Sequence, residues 1–198
     1  MIRASTVLAI LALAACASSP PSRFFTLSGA PAPAAPSSTV SVVVGPVTIP
    51  AVVDRPEIVV AVGQNEVWLD EFNRWASPLA DAIAVATAEN LGTALATSRA
   101  TSLVQSAVDA DYRVGVEVQR FESAPGAYAL LDAVFTVRRT SDARAVTGRT
   151  TAREALTDKS YEALAAAHSR ALARLAADIA AAVRGFPPQA TKPPPAGR

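Results

Sequence analysis

The sequence predicts an α+β domain, with two helices packed on one face of an antiparallel or mixed sheet. Three observations carry that expectation. Several runs rich in Val, Ile and Thr alternate apolar with polar residues, the period of a half-buried strand. Two other segments repeat their apolar residues every three or four positions, the period of a helix. The order along the chain is strands, helix, strands, helix.

The first residues are expected to be a leader. Arg3 and the amino terminus are the basic end, Val7 to Leu13 (VLAILAL) form a short apolar run, and Ala14 and Ala15 are small residues before Cys16. The run falls short of the roughly 20 apolar residues a membrane span needs. Leu13-Ala14-Ala15-Cys16 resembles a bacterial lipobox, in which residues 1–15 are a signal peptide and Cys16 becomes an acylated N-terminus. The alternative is an ordinary secretory signal with Cys16 incidental. Cys16 is the only cysteine. The 183 residues left after the leader suffice for one self-supporting core without disulfides.

Residues 17–22 (ASSPPS) read as a short tether, and Arg23 to Leu27 (RFFTL) as a strand. A Pro/Ala linker follows at 30–38, so that 16–38 form the lipidated N-terminus, short strand and linker. The domain itself is expected over 39–185. Thr39 to Ile49 is its first strand region, with Pro46 and Pro50 arguing for an edge or a bulge. Ile58 to Val62 and Glu66 to Leu69 flank Gly63-Gln64-Asn65 as a hairpin. A first helix should start with Ser77 as N-cap and Pro78 at the first helical position, with Asp81 in its first turn; Gly92 weakens its last turns. Tyr112 to Gln119 alternates cleanly, Pro125-Gly126 is a turn signal, and Ala127 to Arg139 places Leu131, Ala133, Phe135 and Val137 on one face. Ala143 to Arg153 is more polar, as suits a strand near an edge; such alternation favours antiparallel pairing. The last helix carries Tyr161, Leu164, His168, Leu172, Leu175, Ile179 and Val183 on one stripe and ends at Gly185 before Pro187-Pro188. Residues 186–198 read as a disordered Pro-rich tail.

Charge excludes some partners. The precursor has 18 Lys+Arg and 17 Asp+Glu, and loss of Arg3 with the leader leaves the signs equal. A neutral chain has neither a nucleic-acid footprint nor a polybasic membrane patch, so membrane attachment must come from acyl chains. Chemistry is equally sparse. No catalytic constellation, metal-ligand spacing, nucleophile elbow or phosphate-cradling loop is present, and no cofactor is implied. His168 could be a general base, but a boundary histidine whose nitrogen meets a carbonyl suits its helical stripe better. Asp132, out of phase with Leu131 and Phe135, is expected to face solvent or pair across strands. Two clusters stand out: Asp54-Arg55-Pro56, where Pro56 restricts Arg55 to extended backbone, and Phe72 to Leu79, where Trp75 can pack beside the helix start and Arg74 can pair with an acid or stack on a ring.

Those clusters carry a resemblance. Val44-Gly45-Pro46-Val47-Thr48-Ile49-Pro50, Asp54-Arg55-Pro56-Glu57-Ile58-Val59 and Asn73-Arg74-Trp75-Ala76-Ser77-Pro78-Leu79, with Arg23 to Leu27 soon after the cysteine, resemble the PqiC-type ABC transport auxiliary lipoproteins. The resemblance implies a non-enzymatic, lipid-anchored protein on the periplasmic face of the outer membrane. It would work with an MCE-domain protein and ABC transporter components in moving lipids or other hydrophobic molecules, as a possible homo-oligomer. Asp54, Arg55, Pro56, Arg74, Trp75 and Pro78 would be structural or partner-binding. Ala17 after the cysteine fits sorting to the outer membrane. Two other readings stand: a structural lipoprotein tethering membrane to cell wall or an assembly complex through the Pro-rich tail, and a lipid-anchored hydrolase using His168.

Overall fold

A computed structural model describes residues 20–31, 33–103 and 109–187. Eight strands form a single mixed sheet, with two helices packed against it and against each other, as the α+β expectation requires. The strands are β1 (Arg23–Phe25), β2 (Val42–Thr48), β3 (Glu57–Ala61), β4 (Val67–Trp75), β5 (Ala100–Thr101), β6 (Tyr112–Ala124), β7 (Tyr128–Arg139) and β8 (Ala145–Ala155); the helices are α1 (Leu79–Ala94) and α2 (Tyr161–Arg184).

The long β6–β7–β8 meander is antiparallel, and β3 and β4 form the expected hairpin. The β2–β6, β2–β5 and β1–β4 pairs are parallel. Alternation within a strand reports one wet face but not the direction of its neighbour, so these pairings were not visible in the sequence. In β2 the register shifts between Val44 and Val47, across a cis Gly45–Pro46 bond. Pro46 therefore marks a bulge, beyond the Val42–Val43 stretch that the short β5 covers, and Pro50 follows the end of β2.

The core fills the space between sheet and helices. Val42, Val44, Val114, Leu131, Val137, Leu164, Leu172, Leu175 and Ile179 are buried, each such side chain contributing about 1.5–3 kcal/mol. Ala-rich stripes on α1 and α2 let the helices approach the strands closely. At Phe135–Gly148, directly opposite in the β7–β8 register, the ring lies where a Cβ on Gly148 would sit, 2.3 Å from Cζ.

Ser160 caps α2, its Oγ accepting from Ala163 N–H at 3.1 Å. The start of α1 departs from expectation: Pro78 is the N-cap, in extended conformation with ψ 129°, and no side chain caps the helix. Ser77 thus sits one position outside, since the chain becomes helical only after the proline. At the other end Ala96 N–H donates to Thr93 O and Thr97 N–H to Gly92 O, a Schellman closure with Ala96 at φ 51°.

The Pro/Ala stretch expected as a linker is docked along α1 in its described residues. Gly29 N–H and Ala30 N–H donate to Glu89 and Asn90 side chains at 2.9 and 3.0 Å, and Thr93 Oγ1 donates to Pro31 O at 2.7 Å. Gly29 is required there, because a Cβ would fall 2.4 Å from Glu89 Cβ. After α2, Phe186 packs on Tyr112 beneath the Arg139 guanidinium.

Candidate functional site

The sheet brings the two sequence clusters together. Asp54, Arg55 and Pro56 lie just before β3, and Trp75 closes β4. Because β3 and β4 are antiparallel, both clusters end at the same margin of the sheet, where Trp75 N–H donates to Pro56 O at 2.8 Å. β1 locks the other side of β4, and Ala76 N–H donates to Phe25 O at 2.9 Å. The result is a cleft of about 410 Å3 lined by Asp54, Arg55, Pro56 and the run Trp75 to Leu79. Asp54, Arg55, Pro56, Ala76, Ser77 and Pro78 are exposed on its rim; Trp75 and Leu79 are its buried floor.

Arg74 points elsewhere. Its guanidinium pairs with Glu57, directly opposite in the register, and holds that carboxyl below its ordinary range. Its Nε is buried without a partner. Arg74 therefore ties β3 to β4 behind the cleft. Of the six motif residues, five line the cleft and one braces it. Cys16 lies outside the described residues.

Beneath Trp75 sits a group that the sequence did not reveal. Trp75 meets Phe121 and His168 edge-on, both with centroids 6.1 Å away. Ser123 Oγ and His168 Nε2 are 2.9 Å apart. His168 is fully buried, which corrects the boundary position expected for it, and its partner is a hydroxyl instead of a carbonyl. Burial holds its pKa down to about 3, so the ring stays neutral. Nδ1 is without a partner. The pair has the separation of a nucleophile and its base, yet among the described residues no carboxylate orients the ring through Nδ1 as a hydrolytic triad requires. Ser123 and His168 are 45 positions apart, and no spacing in the sequence joins them.

Asp70 is a second buried polar anchor. It accepts from the amides of Phe72 and Asn73, from Asn73 Nδ2 and from the Tyr161 hydroxyl. Burial raises its pKa, but these bonds outweigh it and the net shift is downward. Asp70 thus stabilises the irregular stretch of β4, where Glu57 is opposite Arg74 but Ile58 is already opposite Asp70. Asp132 pairs across strands with Arg149, at 2.8 Å from Nε, resolving the two readings left open for it. Among the described residues no cluster of three or more His, Cys, Asp or Glu could hold a metal, and no helix is long and apolar enough to cross a membrane.

The sequence profile of the family described as "ABC-type transport auxiliary lipoprotein component" matches residues 25–180. No curated protein matches the chain. Among solved structures, an uncharacterised protein superposes with a TM-score of 0.67 at 14% identity, covering 83% of this chain and 99% of that one. A Xanthomonas campestris protein of the DUF330 family superposes with a TM-score of 0.60 at 20% identity, covering 79% and 91%. At such identities these two likenesses show the fold alone. A PelC variant dodecamer from Paraburkholderia phytofirmans gives a TM-score of 0.39 at 14% identity over 76% of this chain and 90% of that one, too low to carry an argument.

Proposed function

The chain belongs to the ABC-type transport auxiliary lipoprotein family, and from that premise we propose that it is the non-enzymatic outer-membrane docking component of an MCE-type lipid transporter. In this reading Cys16 carries acyl chains that hold the protein on the periplasmic face of the outer membrane. The domain binds an MCE-domain protein linked to inner-membrane ABC components, and lipids or other hydrophobic molecules pass between the membranes through that assembly.

One observation carries the reading. The motif residues that fold together are not all core: Asp54, Arg55, Pro56, Ser77 and Pro78 form an exposed rim over an aromatic floor. A cleft that buries an aromatic ring and presents both charge signs at its edge suits a docked protein segment, since apolar contact supplies affinity and the charges set register. The Ser123–His168 pair below it supports the floor.

The test is recovery of the MCE-domain protein. Full-length protein purified from membranes should carry it, and Arg55→Glu should lose it while keeping the wild-type melting temperature. Recovery of cell-wall fragments or outer-membrane assembly factors alone would instead favour a structural tether.

A further inference from the structure

Parallel pairing of β1 with β4 brings two features to one end of the molecule. Strands of a parallel pair begin at the same end, so the chain entering β1 comes from the side where β4 begins. That side is the turn between β3 and β4. Arg23 lies level with Asn73. From Asn73 back to Val67 is about 20 Å at roughly 3.3 Å per residue. From Arg23 back to Cys16 the chain reaches at most about 25 Å. An anchor on Cys16 and the β3–β4 turn can therefore reach one plane.

The turn itself, Gly63-Gln64-Asn65-Glu66, is polar and exposed, but the residues that flank it are apolar and exposed as well. Trp68 is 54% exposed, Val62 53% and Val67 51%, and Phe24 on the neighbouring β1 is 63% exposed. Among the described residues β1 covers β4 only from Asn73 to Trp75, which leaves the outer edge of its first half open. Within residues 62–72 the exposed charges are Glu66 and Glu71, with no Lys or Arg, while Arg120, which lines a cavity with Val67, is paired with Glu122, and Arg23 beside Phe24 is paired with Glu162. Such a tip would be repelled by an anionic surface and suits a zwitterionic one, where a tryptophan ring favours the headgroup boundary.

We infer that the tip of the β3–β4 hairpin rests in the headgroup layer of the membrane that holds the anchor, making a second contact beside the acyl chains. This rests on acylation of Cys16 in the proposed function. Two contacts fix the tilt of the domain where one would leave it free to swing. The cleft of Asp54 and Trp75 lies at the opposite end of β4, about 25 Å from the turn at ~3.3 Å per residue. The hairpin contact thus aims the cleft away from the bilayer.

Trp68 is its own probe, because Trp75 is buried. The emission of Trp68 is obtained as the difference between the full-length lipidated protein and its Trp68→Phe variant, both in vesicles of phosphatidylethanolamine and phosphatidylcholine. Lipid brominated high on its acyl chain should remove roughly half of that difference, as for a ring at the headgroup boundary, and aqueous iodide should barely touch it. Mass spectrometry of the same sample reads Cys16. Acylated protein whose Trp68 is open to iodide and silent to brominated lipid overturns the hairpin contact and leaves the anchor standing. So does protection of Trp68 that appears only when the MCE-domain protein is added. Unmodified Cys16 overturns the anchor itself.

Discussion

The imidazole of His168 lies flat on the ring of Phe121, with centroids 3.9 Å apart and planes 7° from parallel. That stack fixes the one histidine of the chain between a strand and α2, with Ser123 as its only polar contact among the described residues, and it supports the Trp75 floor of the cleft. A residue that looked like the sole candidate base is thus a structural member of the core.

Stability should fall in mild acid because of His168. Its ordinary value is 6.5 and burial lowers it to about 3 in the fold. As pH drops below 6.5 the unfolded chain takes up a proton that the folded chain refuses, so the loss is confined to the window between those values. It amounts to about 1.4 kcal/mol per pH unit. Urea melts at pH 7 and pH 5 should differ by about 2 kcal/mol more in the wild type than in His168→Gln. Equal differences would mean that the ring accepts a proton within the fold.

Trp75→Ala should destabilise the domain by about 3–5 kcal/mol, the range for a large buried aromatic, because it removes contacts to Phe121 and His168 and opens the floor of the cleft. Denaturant melts measure this directly. A change near zero would place the ring outside the core.

Ala96→Gly should stabilise by about 0.5–1 kcal/mol. Ala96 holds φ 51° to close the end of α1, a conformation that glycine adopts without a Cβ penalty. A fall in melting temperature would show that the gain in unfolded-chain freedom outweighs the relief of strain.

Gly148→Ala should cost about 1–3 kcal/mol through overpacking. The new methyl would fall within 2.9 Å of three atoms of the buried Phe135 ring, which core packing keeps from moving aside. Adding Phe135→Leu should recover part of that loss. If the double variant is no better than the single one, the clash lies elsewhere.

Much of the fold was legible because it is local. The stripe from Tyr161 to Val183, the turn at Pro125-Gly126, the β3–β4 hairpin and the alternation of Leu131 to Val137 all appear where periodicity and turn chemistry put them. The start of α1 slipped by one residue because both Ser77 and Pro78 are acceptable at a helix start, and only the backbone decided between them. The Pro/Ala stretch at 30–38 reads as a linker because its hydrogen bonds go to Asn90 and Thr93, some 60 positions away.

By itself the sequence determined most of the secondary elements, the near balance of charge and the two motif clusters, since each depends on residues close together in the chain. Only the tertiary structure decided that β1, β2 and β5 pair in parallel, that Ser123 meets His168, and that Asp54 and Trp75 share one cleft. Those relations join residues tens of positions apart. They exist only once the core has closed and the entropy of the intervening loops has been lost.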